Sequence, residues 1–100
     1  MNLTTNEINL VKNILSTHVP EFEVRAFGSR VHGKHLRPFS DLDLAMMTDK
    51  PLGLDRYAQL KAAFSDSDLP FKVDVVDWAS IDESFQKIIG EDFEIIQPAC

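Results

Sequence analysis

Two closely spaced aspartates are the residues of this sequence whose type and spacing most clearly point to chemistry. Asp41 and Asp43 are separated by one residue, and side chains alternate along a strand, so both carboxylates project from one face. Their backbones lie roughly 6.6 Å apart, which allows the carboxylates to bind one Mg²⁺ or to share two ions. Because unpaired neighbouring carboxylates repel each other, a divalent cation removes a conflict. The pair therefore predicts a magnesium site.

Asp74 is the expected third carboxylate of that site. It lies in Val73-Asp74-Val75-Val76, an otherwise apolar strand, where an unpaired charge is costly. We assign it to the metal cluster, where it can also accept the proton of an attacking hydroxyl. A solvated charge on an edge strand is the alternative. Asp77 is the rival third ligand, and it ranks lower because it projects from the opposite face of the strand.

A glycine–serine turn at the end of the first predicted strand suits phosphate binding. Gly28 lets the backbone approach a ligand closely, and the Ser29 hydroxyl with the following N–H groups can hold phosphate oxygens. If this turn and the aspartates serve one site, the first two strands must be antiparallel neighbours. The loop between them carries the residues expected to face a triphosphate: Arg30, Lys34 and Arg37, with His32 and His35. The histidines are not assigned to the metal, since Mg²⁺ prefers oxygen ligands.

The spacing of apolar residues predicts the elements that position these groups. Helices are expected over residues 5–18 and 54–65, and a third begins at a capping box of Ser80 and Glu83 and ends at Gly90. Strands are expected over residues 21–27, 41–47, 71–77 and 93–96. The predicted fold class is α/β (α+β), a small mixed sheet with helices packed on it, and residues 1–100 are expected to form one domain.

Composition restricts the classes of partner. Sixteen acidic and ten basic residues give a net charge of -6, which argues against direct binding to a nucleic acid backbone. No stretch approaches the ~20 apolar residues of a membrane span. The N-terminus lacks the pattern of a secretory signal, and Cys100 is the only cysteine, so no disulfide framework is expected. A cytoplasmic protein without a membrane or nucleic acid partner is the expectation.

The motifs taken together resemble a known family. Gly28-Ser29, a polar spacer, Asp41-Leu42-Asp43 and a later lone aspartate are similar to the signature of the DNA polymerase β-type nucleotidyltransferase superfamily. The short length and the phrase over residues 40–45 most resemble its minimal nucleotidyltransferases, the MntA-like antitoxins paired with HEPN-domain toxins. The resemblance extends over about residues 22–78. The spacer has eleven residues, one more than the family usually has, and a loop absorbs such an insertion easily.

The resemblance implies an enzyme that uses ATP and two Mg²⁺ ions to add AMP to a hydroxyl, typically a tyrosine, of a HEPN-domain toxin. The modification neutralises the toxin's RNase activity. In this interpretation Asp41 and Asp43 hold both metals, Asp74 holds the metal at the nucleophile and acts as base, and Ser29 and Arg30 bind the β and γ phosphates. Two alternatives stay open: a non-catalytic antitoxin that covers its toxin, and a nucleotidyltransferase that modifies an aminoglycoside-like small molecule.

Overall fold

The computed structural model describes residues 2–33 and 40–99, His32 by its backbone only. The elements in this part of the chain are α1 (Thr5–His18), β1 (Val24–Phe27), α2 (Ser29–His32), β2 (Leu42–Met46), α3 (Leu54–Ser65), β3 (Val73–Asp77), a 3₁₀ turn (Trp78–Ser80), α4 (Glu83–Glu91) and β4 (Phe93–Gln97). The predicted order is confirmed. None of the helices described is both long enough and apolar enough to cross a bilayer.

The strands form one mixed sheet in the order β3-β2-β1-β4. β1 pairs antiparallel with both β2 and β4, whereas β2 and β3 are parallel. Phe27 pairs with Asp43, and Asp43 pairs with Asp74 on the other side. The antiparallel arrangement that the sequence required of the first two strands is therefore confirmed, as is the fold class.

One face of the sheet is covered by α1 and α3 and carries the main core. Thr4 is the N-cap of α1, and its side chain forms a capping box with that of Glu7. Alternate residues of each strand point into this core, as the strand period of two requires. The buried residues of the strands and helices include Val24, Ala26, Leu42, Leu44, Met46, Val75, Val11, Leu15, Leu60 and Phe64.

The other face of the sheet is covered in part by α4. Ile89 of α4 packs with Phe27 and Ala45, and the Phe85 ring meets the Phe27 ring edge-on, with centroids 5.8 Å apart. Asp43 shares this face with Ala45, because the two are separated by one residue on β2. The sheet therefore has its main core on one face. The opposite face carries Asp43 and only a small apolar cluster.

The boundaries of α4 differ from the prediction. The N-cap is Asp82, whose carboxylate accepts a hydrogen bond of 2.8 Å from the Phe85 amide, so the predicted Ser80–Glu83 capping box is wrong. Ser80 instead belongs to the 3₁₀ turn that follows β3. Gly90 lies inside the helix, which continues to Glu91. Several residues with N-capping side chains compete in this segment, and the sequence pattern alone selected the wrong one.

Candidate active site

The sheet brings two of the three predicted carboxylates side by side. Asp43 on β2 and Asp74 on β3 are register partners in the parallel pair, and neighbouring strands lie about 4.8 Å apart. Asp41 immediately precedes β2 and is exposed. The three residues thus come from adjacent positions at one end of the β2–β3 pair. Assignment of these carboxylates to metal ions remains a prediction.

Asp43 lies in an environment that disfavours its charged form. Burial raises its pKa to about 6, and the negative charges of Asp74 and Asp41 act in the same direction. Within the described residues, no three histidine, cysteine, aspartate or glutamate side chains already form a group that could hold a metal ion. The oxygen-only donor set and the raised pKa both fit a site that is completed by a hard divalent cation.

Gly28 is required at its position by Asp43. Its backbone has φ +85°, a conformation that side-chain-bearing residues rarely adopt, and a Cβ at this position would overlap the Asp43 Oδ2 atom. The close approach predicted for Gly28 is therefore made by a carboxylate of the protein itself. It follows that the glycine–serine turn and the central aspartate are in direct contact, as a single site demands.

Ser29 begins α2, a single helical turn that starts beside Asp43. Gly28 is the N-cap of this turn, and Gly33, at φ +75°, ends it by donating its N–H to the Ser29 carbonyl at 2.8 Å. Ser29 is half-buried. The contact of Ser29 with phosphate remains a prediction. It agrees with the position of Ser29 in the turn that contacts Asp43.

Arg30 is held by contacts within the protein, and its predicted contact with phosphate stays a prediction. Its side chain is only 5% exposed. The guanidinium donates from Nε to the Ser40 carbonyl and from Nη1 to the Asn2 carbonyl, both at 2.8 Å, and its Cζ lies 4.0 Å from the centroid of the Phe71 ring. A group expected to reach outward to phosphate is instead held inside the protein. Lys34, His35 and Arg37, also predicted to face the phosphates, lie outside the described residues, as does the His32 side chain.

Lys72 belongs to this site although the sequence analysis did not identify it. Its Nζ lies 3.7 Å from the Asp74 Oδ1, and both side chains are substantially exposed, at 73% and 43%. The signal was available: Lys72 precedes Asp74 by two residues, so an extended segment places both side chains on one face. Within the part of the chain that the structure describes, this is the cation paired with a candidate metal ligand.

Asp77, the rival third ligand, has a structural role. Its carboxylate is 8% exposed and accepts hydrogen bonds from the Thr48 hydroxyl and the Leu52 amide. Thr48 Oγ1 in turn accepts from the Ala79 amide at 3.2 Å. Asp77 thereby joins the loop after β2 to the end of β3. It lies on the opposite face of β3 from Asp74, which agrees with its lower rank as a metal ligand.

Comparison with known families agrees with this geometry. The family model described as polymerase beta, nucleotidyltransferase matches residues 8–97. The chain belongs to this family. The match includes the glycine–serine turn, all three aspartates and every strand of the sheet. The domain is accordingly a nucleotidyltransferase, an enzyme class in which a nucleotide is transferred from a nucleoside triphosphate.

Individual members of the nucleotidyltransferase family are similar over nearly the whole chain. A Haemophilus influenzae protein named probable protein adenylyltransferase MntA is 45% identical over 97 residues, which are 97% of this chain and 84% of that protein. A chain from the crystal structure of a toxin–antitoxin with AMP-PNP superposes with a TM-score of 0.75 at 22% identity, covering 92% of this chain and 73% of that one. A chain from the complex of a tri-AMPylated Shewanella oneidensis HEPN toxin with its MNT antitoxin gives 0.63 at 19% identity, with the same coverage.

Proposed function

We propose that this protein is an ATP- and Mg²⁺-dependent protein adenylyltransferase that transfers AMP to a hydroxyl of a HEPN-domain toxin and acts as its antitoxin. The observation that carries the proposal is the pairing of Asp43 with Asp74 directly beside the Gly28-Ser29 turn. This arrangement offers carboxylate oxygens for metal ions next to a turn suited to phosphate. The 45% identity to a protein named an adenylyltransferase supports AMP as the transferred group.

The carboxylates have distinct tasks in this proposal. Asp41 and Asp43 would hold both metal ions, and Asp74 would hold the ion on the side of the nucleophile. When bound, such ions would offset the negative charge of the phosphates and of the departing pyrophosphate. Asp43 has the task most dependent on a cation, because burial and two neighbouring carboxylates disfavour its charged form.

The remaining residues orient the substrate and move a proton. The acceptor oxygen forms a bond to the α-phosphorus of ATP, and the bond from that phosphorus to the α,β-bridging oxygen breaks, which releases pyrophosphate. Asp74 accepts the hydroxyl proton, since its side chain is 43% exposed and so accessible to an acceptor. Gly28 and Ser29 hold the terminal phosphates. Lys72, 3.7 Å from Asp74, contributes positive charge on the same face.

The acceptor is a side chain of another protein, and we propose a tyrosine hydroxyl of the toxin. The net charge of -6 suits a partner that itself binds RNA and disfavours direct RNA binding by this chain. A chain with this fold occurs in the solved complex of a tri-AMPylated HEPN toxin with an MNT antitoxin, which supports the pairing. We place the reaction in the cytoplasm, where ATP and such a partner meet.

A separation experiment distinguishes modification from simple coverage of the toxin. The toxin is incubated with this protein, ATP and Mg²⁺, the two proteins are separated under denaturing conditions, and the toxin is refolded and assayed for RNase activity. A covalent phosphodiester survives separation, so the toxin should stay inactive. Asp43→Asn should leave the toxin active after separation, and the exposed loop variant Asp68→Asn should behave as wild type. Full recovery of toxin treated with wild-type protein would favour an antitoxin that only binds.

A further inference from the structure

Arg30 joins three segments of the chain, two of which lead into the active site. Its Nε bonds the Ser40 carbonyl, its Nη1 bonds the Asn2 carbonyl, and its guanidinium lies over the Phe71 ring at 4.0 Å. The Arg30 carbonyl accepts a hydrogen bond of 2.8 Å from the Asn2 amide, so the contact with the N-terminal segment is reciprocal. A side chain that is 5% exposed and engages in three directions is held in one orientation.

Two of the three partners of Arg30 are next to a residue of the site. Ser40 directly precedes Asp41, which lies just outside β2 and is therefore not fixed by a strand. Phe71 directly precedes Lys72, whose carbonyl accepts the Leu42 N–H at 2.9 Å. Arg30 itself follows Ser29. The guanidinium thus bridges the end of the β2–β3 pair at the point where Asp41 leaves it.

We infer that Arg30 is a positioning residue that fixes Asp41 relative to Asp74 and to the glycine–serine turn. The expected effect on catalysis rests on the proposed nucleotidyl transfer. The position of Asp41 rests on the buried contacts of Arg30 alone. A guanidinium is required because it donates in two fixed directions while its plane stacks on a ring. A lysine ammonium at this position keeps the charge but loses this geometry.

Hydrogen exchange tests the structural content without any dependence on catalysis. In Arg30→Lys the Leu42 amide should exchange roughly tenfold faster or more, the equivalent of one lost hydrogen bond to a charged group. The Val19 amide, which bonds the Leu15 carbonyl at the end of α1, should be unchanged. Phe71→Leu removes the ring beneath the guanidinium and keeps an apolar side chain in the core. It should speed exchange of the Leu42 amide by a smaller factor. This second variant carries the test if Arg30→Lys destabilises the whole fold.

Arg56→Lys is the matched control. Arg56 also bonds a backbone carbonyl, that of His18 at 2.9 Å, and lies 5.7 Å from the centroid of the Phe22 ring, but it lies between α3 and the end of α1, away from the aspartates. This variant should leave exchange of the Leu42 amide at the wild-type rate. A change as large as that in Arg30→Lys would mean that the effect is general and would overturn the inference.

The kinetic constants separate positioning from phosphate binding. Arg30→Lys and Arg30→Gln should both lower kcat by about 10–100-fold, as loss of a residue that orients metal ligands does, with the KM for ATP within about threefold of wild type. If instead Arg30→Lys exchanges like wild type and only the KM for ATP rises in Arg30→Gln, Arg30 is a phosphate contact and the inference is overturned. Absence of AMP transfer by the wild-type protein would refute the proposed function. Hydrogen exchange would then still test whether Arg30 positions Asp41.

Discussion

The two ends of the parallel β2–β3 pair place their carboxylates in opposite environments. At one end Met46 pairs with Asp77, whose carboxylate receives hydrogen bonds from a hydroxyl and a backbone amide. At the other end Asp43 pairs with Asp74, so that one carboxylate faces another. No hydrogen bond to Asp43 comes from the side chains and amides described. Donors around a carboxylate identify a structural role, whereas opposed carboxylates are the arrangement that the proposed metal site predicts.

The raised pKa of Asp43 is the electrostatic measure of this difference. Burial and the charges of Asp74 and Asp41 raise that pKa to about 6, so the carboxylate is ionised at neutral pH at a cost in folding free energy. The same sheet tolerates this cost because its far face carries the main core of the fold. Along β2, the residues that pack in the main core alternate with Asp43, which faces the candidate site.

The largest effect is expected from Asp43→Asn. In the proposal Asp43 is a ligand of both metals, so the variant should lower the rate of AMP transfer by about 10²–10³-fold or more, because charge neutralisation at the phosphates supplies several kcal/mol. The fold should remain intact by circular dichroism. Initial rates with radiolabelled ATP measure the loss, and a variant that keeps more than a tenth of wild-type activity would refute the role assigned to Asp43.

Asp77→Ala should have the reverse profile. It leaves the Thr48 hydroxyl and the Leu52 amide without their acceptor, and should lower the free energy of unfolding by about 1–3 kcal/mol. Transfer by the folded fraction should stay close to wild type. Urea denaturation followed by fluorescence of Trp78 gives the stability. An inactive but fully stable variant would place Asp77 among the functional residues and erase the contrast between the two ends.

The pH dependence of stability sharpens the comparison at the site end. A raised pKa means that the folded protein binds this proton more tightly than the unfolded chain, so the contribution of Asp43 is stabilising at low pH and is lost as the pH rises from about 4 to about 6. Asp43→Asn lacks the ionisation. In EDTA, its stability relative to wild type should therefore increase by about 2 kcal/mol across this window. If the difference in the free energy of unfolding between Asp43→Asn and wild type does not change with pH, the pKa of Asp43 is not raised and this account of its environment is wrong.

The smallest effect is expected from Lys72→Met. The Lys72–Asp74 pair is exposed and 3.7 Å long, so its loss should change the free energy of unfolding by less than about 0.5 kcal/mol. Transfer should fall modestly, since one positive charge beside the phosphates is removed. Matched urea melts and initial rates measure both quantities. A large loss of stability would indicate that this end of the strand pair depends on the ion pair for its structure.

Much of this organisation was predictable from the sequence because it follows from alternation and spacing. Leu42 and Leu44 on one face fixed which face Asp43 occupies, and α1 and α3 have the predicted bounds. Arg30 could not be placed, since its partners Asn2 and Phe71 are distant in sequence and only the folded sheet brings them together. The pairing of Asp43 with Asp74 likewise depends on a register that no local pattern specifies.

The mass of the toxin after reaction tests the central claim most directly. Purified HEPN-domain toxin, incubated with this protein, ATP and Mg²⁺ and then separated from it, should be heavier by one or more AMP units on a hydroxyl side chain. Reaction with Asp43→Asn should leave its mass unchanged, and peptide mapping should locate the modified residue. An unmodified toxin after reaction with wild-type protein, under conditions in which the toxin is nevertheless inhibited, would contradict an adenylyltransferase and indicate that this protein neutralises its partner by binding alone.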